Sequence, residues 1–273
     1  MDIKEFLNEF NKRCGYDFSD YSTNSISRRL TKICEEMGLS FEQILNMVVA
    51  DKKLVQTIVE DITVNTTELF RDPAVWVAYA KVLPRQIPKQ TMSTIWHIGC
   101  SKGLEVYSDL VLINELGLKD RCRVIGTDIN PTVLDNAAKG VYPYRFNQCY
   151  VENFNTVMKS LDLNVPFDKY FAIDEAADTI TVLPHLREQA RFLRQDLVKD
   201  RAPFAYRVDI VFLRNVMIYF NEQLQLRVLS NVLEKMHDGA LFIMGKQEDI
   251  PQPMKAILLR QGLFYKKIKS SWP

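Results

Sequence analysis

The stretch 208-VDIVFLRNVMIYFNEQ-223 decides the fold. Residues 208–213 form a short apolar run of the length expected for a buried strand. The run then meets Arg214 and Asn215, a charged fork and a primary amide that are poor core material. The stretch ends as a helix N-cap, and the spacing predicts a helix over 221–236. Ligands of open α/β sheets sit beyond the carboxyl ends of the strands, and this is where the polar pair falls.

Outward from this stretch the same grammar repeats. TIWHIG (94–99) reads as a strand, and a Gly-containing turn leads into a helix over 104–116. RVIGTDI (123–129) is the next strand, and Pro131 opens another helix at its first position, a favoured place for proline. ALFIMG (240–245) is a further strand, and GLFYKKI (262–268) reads as a late edge strand. Strands alternating with helices predict a parallel, doubly wound sheet. Between Gly140 and about Phe192 the chain is too long for a plain crossover and contains alternating pieces such as DTITVLP (178–184). It reads as an inserted antiparallel subdomain, with the basic segment 185–197 leading back to the sheet.

Residues 1–75 differ in character. In 24-NSISRRLTKICEEMGLS-40, Ile26, Leu30, Ile33 and Met37 recur at helical spacing and Gly38 stops the run. Ser40 then caps 41–49, and a third helical pattern covers 51–63. The unit carries nine lysines and arginines against thirteen acidic residues, so it is net acidic despite Arg28, Arg29 and Lys32.

Bulk properties narrow the function. A net charge of +1 points to neither nucleic acid nor an anionic membrane surface. Five scattered cysteines form no C-x-x-C pair, which excludes a zinc ribbon or disulfide framework and predicts a reducing compartment. No metal site is expected. The acidic, amphipathic start MDIKEFLNEF is unlike a signal peptide, and no apolar stretch reaches membrane-spanning length. A cytoplasmic protein is expected.

Three features fall at strand ends. In 99-GCSKG-103, small residues let backbone amides approach a ligand before a helix begins. Asp128, about 25 residues on, is placed to accept hydrogen bonds from a ribose diol. The third is the Arg214–Asn215 pair. The loop alone also fits a nucleophile elbow, Gly99-x-Ser101-x-Gly103, which needs a histidine late in the chain. Taken one at a time, Asp128 fits a helix-start carboxylate and Arg214 a strand-end ion pair. Their recurrence at successive strand ends favours a ribose-bearing cofactor.

These blocks, in order, resemble the CheR family, S-adenosylmethionine-dependent methyltransferases that modify chemotaxis receptors. The segment 65-NTTELFRDP-73 is similar to the family's N-x-T-x-F-F-R-[DE], and 97-HIGCSKGLEVYS-108 to G-C-S-T-G-E-E-P-Y-S. The segment 125-IGTDINPTVLDNAAKGVYP-143 resembles D-I-[DN]…L…A…G-x-Y, and 213-LRNVMIYF-220 resembles C-R-N-V-[LM]-I-Y-F, the most specific block. Finally, 239-GALFIMGKQE-248 resembles G-G-x-L-x-x-G-H-S-E.

The resemblance implies an α/β protein: an all-helical N-terminal domain (1–75), a linker (76–91) and a Rossmann-like class I methyltransferase domain (92–273). That domain would carry a small antiparallel β-subdomain inserted at about 144–192. By matching positions, Thr67 and Arg71 would reach the cofactor from the linker. Gly99 and Ser101 would form its loop, Glu105 would face its amino-acid end, and Asp128 its ribose. Asp196 and Leu197 would lie near the adenine, Arg214 and Asn215 would floor the pocket, and Tyr219 would stand beside the methyl group. The implied reaction is methyl transfer to glutamates of a chemoreceptor, leaving S-adenosylhomocysteine. The receptor's cytoplasmic region would dock through Arg28, Arg29, Lys32 and the β-subdomain. A receptor glutamate, with an ordinary pKa near ~4.3, is already an ionised nucleophile and needs no histidine base.

The chain departs from the family at Lys102 (usually Thr), Leu104 (usually Glu) and Val106 (usually Pro), at Asp196 (usually Asn), and at Lys246 and Gln247. The altered loop keeps open a second reading, a catalytically silent module that binds the cofactor or its product. A nucleic-acid or small-molecule methylase ranks below both, because the [DN]-P-P-[YF] strand end is missing.

Overall fold

A computed structural model describes residues 1–63 and 65–268. Four helices open the chain: α1 (Ile3–Cys14), α2 (Thr23–Met37), α3 (Phe41–Met47) and α4 (Lys52–Thr63). Ile26, Leu30 and Ile33 bury one stripe of α2 against Phe6, Phe10, Ile44 and Ile58. Gly38 ends α2 in the left-handed region, its N–H returning to the Cys34 carbonyl. Ser40 and Gln43 form a capping box at α3, as Asp2 and Glu5 do at α1. Helix α5 (Pro73–Gln86) occupies most of the stretch read as a linker, and its Trp76, Tyr79 and Leu83 are buried.

The second half is built on one seven-stranded sheet. Its elements are β1 (Ser93–Ile98), α6 (Leu104–Glu115), β2 (Cys122–Asp128) and α7 (Pro131–Lys139). A lobe follows with β3 (Val141–Pro143), α8 (Cys149–Ser160), β4 (Phe171–Asp174), β5 (Thr179–Val182) and the single turn α9 (Pro184–Arg187). The chain then returns through β6 (Ala190–Arg194), β7 (Val208–Leu213), α10 (Glu222–Lys235), β8 (Met236–Met244), β9 (Leu258–Gln261) and β10 (Phe264–Lys267).

The sheet order is β6-β2-β1-β7-β8-β10-β9, and β3-β5-β4 form a separate antiparallel sheet. The first five strands are parallel, while β10 and β9 run antiparallel at the far side. The chain winds outward from β1 through β2 to β6, then crosses back to β7 on the other side of β1. The topological switch therefore lies between β1 and β7, and a crevice opens there at the strand ends.

Two expectations need correction. β10 is not the edge strand: β9 pairs outside it, and the edge goes to the more exposed sequence LLRQ. The segment 190–194, read as part of the insertion and its exit, is strand β6 of the main sheet, parallel to β2. Its Arg191 and Arg194 blurred the apolar signal because β6 is itself an edge. The small sheet begins at Val141, slightly before the expected start.

Candidate functional site

The eleven residues singled out for the pocket line one cleft of about 950 Å³ at the switch point. Thr67 and Arg71 come from the segment ahead of α5, Gly99 and Ser101 from the turn after β1, and Glu105 from the first turn of α6. Asp128 ends β2, and Asp196 and Leu197 follow β6. Arg214, Asn215 and Tyr219 follow β7. Tyr21, which the sequence reading did not single out, closes one side from the N-terminal domain.

The turn after β1 is built for close approach. Gly99 has φ +67°, and a Cβ there would stand 2.4 Å from Val216 Cγ2. Gly99→Ala therefore forces apart the β1 and β7 loops that face each other across the cleft. Overpacking and left-handed strain together predict a loss of roughly 2–4 kcal/mol, measured by denaturant unfolding, with weakened cofactor binding by calorimetry. Ser101 and Asn215 also adopt positive φ (50° and 60°), as do Phe70 and Asp72 (51° and 58°) beside Arg71. Four non-glycine residues in a strained region around one cleft mark a functional site.

Asp128 is held by backbone amides: Oδ2 accepts from Ser101 N (2.8 Å) and Oδ1 from Asn130 N (3.0 Å). Burial pushes its carboxyl above the usual range, and those amide bonds oppose the shift. Each oxygen keeps a lone pair, enough to accept from a diol. Asn130 caps α7 and receives a hydrogen bond from Gln56 of α4, which ties the N-terminal domain to this strand end. Asp196, also buried, accepts from Val198 N at 2.9 Å. Burial raises its carboxyl, opposed by that bond. Beside it, Gln195 presents a buried Oε1 with no hydrogen-bond partner, an acceptor that an adenine amino group would satisfy. Paired ribose and adenine acceptors at adjacent strand ends fit an adenosyl cofactor.

Opposite lies an alternating row of charges. Arg214 donates to Glu105 Oε2 (3.0 Å), Asp72 Oδ2 (2.7 Å) and the Arg71 carbonyl (3.3 Å). Glu105 Oε1 meets His97 Nδ1 at 3.0 Å, and His97 Nε2 meets Asp109 Oδ2 at 3.0 Å. Burial would raise the Glu105 carboxyl, but His97 and Arg214 outweigh it and hold it low. Asp72 thus pairs with Arg214, not with its neighbour Arg71, whose side chain makes no ion pair among the described residues. Burial raises the Tyr219 phenol, while the cations Arg29 and Arg71 pull against that rise.

The altered loop residues leave the cleft wall untouched. Lys102 is exposed and outside it, giving only its carbonyl to the Tyr142 hydroxyl (2.7 Å). Leu104 and Val106 are buried in the core cluster. Sequence reasoning missed Glu248 as a site residue. Its carboxylate accepts from the backbone N–H groups of Asn215, Val216, Met217 and Gly245 at 2.7–2.9 Å. Its place just past β8, beside the loop it organises, was the available signal. His97 and Asp109 were missed too, though an aspartate inside the apolar run of α6 marks a buried partner.

On α2, Arg28 is exposed and Lys32 pairs with Glu36 at 3.4 Å. Arg29 turns inward, donating to the Asp61 carbonyl (2.9 Å) with its guanidinium 5.6 Å from the centre of the Tyr219 ring. Backbone bonds from Ser22 N to the Tyr219 carbonyl (2.7 Å) and from Asn221 N to the Asp20 carbonyl (2.9 Å) stitch this domain to the Tyr219 loop.

Comparison with known proteins identifies both halves of the chain. Residues 65–261 match the CheR methyltransferase, SAM binding domain, and residues 1–63 match the CheR methyltransferase, all-alpha domain. A chemotaxis protein methyltransferase of Listeria monocytogenes is 27% identical over 92% of this chain and 91% of its own length. Chemotaxis protein methyltransferase Cher2 of Pseudomonas putida is 27% identical over 97% of each. Among solved structures, a TehB-like SAM-dependent methyltransferase from Corynebacterium glutamicum aligns with TM-score 0.36 at 14% identity, covering 69% of this chain and 86% of that one. With both domain models matched in order across almost its whole length, this chain belongs to the CheR family of S-adenosylmethionine-dependent methyltransferases.

Proposed function

We propose that this chain methylates glutamate side chains of a chemoreceptor or related chemotaxis signalling protein, giving glutamyl methyl esters. The observation that carries the reading is the Arg71 side chain in the cleft beside Tyr219, with no ion pair of its own among the described residues. A planar guanidinium left available at the reaction centre is the natural dock for an incoming carboxylate.

The chemistry suits an acceptor that is already ionised. S-adenosylmethionine, when bound, supplies a methyl group on a sulfonium. Among the described residues no histidine lines the cleft; His97 is buried and engaged by two carboxylates. An amine or alcohol acceptor needs a base to take its proton, whereas a glutamate at neutral pH does not. Arg71 orients the acceptor carboxylate, Tyr219 walls the cleft against water, and Asp128 and Glu105 bind the cofactor's ribose and its amino-acid end. Alignment and desolvation carry the rate. The relatives' chemotaxis names support a receptor substrate, and the exposed Arg28 on α2 is the contact we assign to it.

The test is transfer of labelled methyl to a purified receptor cytoplasmic fragment, followed by alkaline hydrolysis. Base-labile label on the fragment is expected, and it is lost with Arg71→Ala. Label that survives alkali, or no label despite tight cofactor binding, rejects glutamyl esterification.

A further inference from the structure

Behind the cleft wall lies a buried group that the methyl-transfer reading does not use. His97 sits on β1 with no exposed surface, its ring stacked on Phe212 of β7 at 4.3 Å. Both of its ring nitrogens face carboxylates on one helix, Glu105 and Asp109 of α6, each at 3.0 Å. Asp109 is itself fully buried, and the Tyr79 hydroxyl of α5 faces it. On the other side, Glu105 hands over to Arg214, and Arg214 to Asp72.

We propose that His97, as an imidazolium, is a positioning residue of the cofactor site. One ring N–H anchors on Asp109 and the other fixes the Glu105 carboxylate, and through it the Arg214 guanidinium, in the arrangement that receives the cofactor's amino-acid end. The proposal rests on the reading that Glu105 meets that end.

Three observations support it. A neutral imidazole has a single N–H, so between two ionised carboxylates it leaves one oxygen facing a lone pair, and the protonated ring satisfies both; burial raises the Asp109 carboxyl, and His97 and the Tyr79 hydroxyl oppose that rise. Burial opposes charging the ring, yet the bonds to Asp109 and Glu105 prevail and lift it from 6.5 to about 8. An ion triad buried but for the cleft edge of Glu105 is also a poor way to stabilise a core, because apolar residues of similar volume do as well. Its retention one side chain from the cleft is explained by what it holds. Glu105 then offers its remaining lone pairs to a ligand ammonium with its own geometry already fixed, which reduces the ordering cost of binding.

Charge and geometry pull in opposite directions here: a neutral ring leaves the row more negative, which favours an ammonium, whereas losing an N–H loosens Glu105, and the proposal holds that the loosening dominates. With His97 protonated, the row Asp109, His97, Glu105, Arg214, Asp72 carries three negative and two positive charges, and a ligand ammonium balances it. As pH rises through about 8, the ring keeps a single N–H, so the Glu105–His97–Asp109 chain loses one of its two bonds and holds Glu105 less firmly. Affinity for the cofactor therefore falls across that range. The ligand's own amino group titrates nearby, but that contribution is common to wild type and variant.

The experiment is calorimetric binding of S-adenosylhomocysteine to wild type, His97→Gln and Glu105→Gln from pH 6.5 to 9. Glutamine keeps one donor but cannot serve both carboxylates. At pH 7, His97→Gln is expected to bind about tenfold or more weakly, the scale of losing a group that supports a ligand-contacting residue. That gap should shrink as pH rises through 8, since wild type loses the advantage there; a merely structural defect leaves a constant gap. Equal affinities, or a gap independent of pH, overturn the proposal while Glu105→Gln still binds weakly. If Glu105→Gln binds like wild type, the reading beneath the proposal fails first and takes the proposal with it. Should His97→Gln not fold, nitrogen-15 spectra of the wild-type imidazole decide. There are three histidines in the chain to assign. Two ring N–H groups on His97 at pH 7 are expected, and a neutral ring at that pH overturns the proposal.

Discussion

Arg214→Met is expected to lower the unfolding free energy by about 3–5 kcal/mol and to abolish cofactor binding, the scale seen when one member of a buried ion pair is removed. Arg214 has 1% of its side chain exposed and pairs with both Asp72 and Glu105. Methionine fills much of the volume but leaves two carboxylates facing each other with no cation between them. Glu105 keeps only His97, and Asp72 loses its ion pair. Because Asp72 caps the entry to α5 in a left-handed conformation, its release also frees the loop that carries Arg71. Denaturant unfolding monitored by circular dichroism, with calorimetry of the cofactor, measures both effects. Lysine is not a rescue: a point charge cannot hold the two carboxylates and the Arg71 carbonyl together as a fork does.

Glu248→Gln carries the second large effect. Oε2 takes the N–H groups of Asn215 and Gly245, and Oε1 those of Val216 and Met217. An amide presents one oxygen and one NH₂, so two backbone donors meet a donor instead of an acceptor. Losing two hydrogen bonds to a charged group costs roughly 3–5 kcal/mol. The loop that loses them carries Asn215 and Tyr219, so cofactor affinity falls together with stability. Glu248→Asp tests the geometry separately: the charge stays, but the shorter side chain reaches fewer of the four amides. Intact stability and binding in Glu248→Gln would remove the carboxylate from its role in shaping the pocket floor.

Much of this architecture was legible before any coordinates. β1, β2 and β7 are continuous apolar runs because parallel strands in the middle of a sheet are buried on both faces. The capping signal at Ser40, the stop at Gly38 and proline at the start of α7 are local chemistry, and each falls where the sequence predicts. Edges were harder. β6 hides behind two arginines, and β9 behind exposed polar residues, since an edge strand must blunt its own stickiness.

The site divided along the same line. Residues at strand ends, such as Asp128 and Arg214, announce themselves as polar interruptions of apolar runs. Asp109 and Glu248 work at a distance from the cleft wall through contacts that close only in three dimensions, 12 residues apart for His97–Asp109 and 31 to 33 for the three loop amides. The substitutions at Lys102 and Leu104 stand next to Glu105 in sequence but not in the cleft wall. Successive side chains on a helix turn about 100° apart, so Glu105 faces the cleft while Leu104 enters the core; Lys102, in the turn before the helix, is exposed.

The most direct measurement is a crystal structure with S-adenosylhomocysteine bound. The account predicts ribose hydroxyls on Asp128, the amino group on Glu105, adenine against Gln195 and Leu197, and the sulfur turned toward Arg71 and Tyr219. Product bound outside this cleft, or reversed within it so that adenine lies at Glu105, would contradict it.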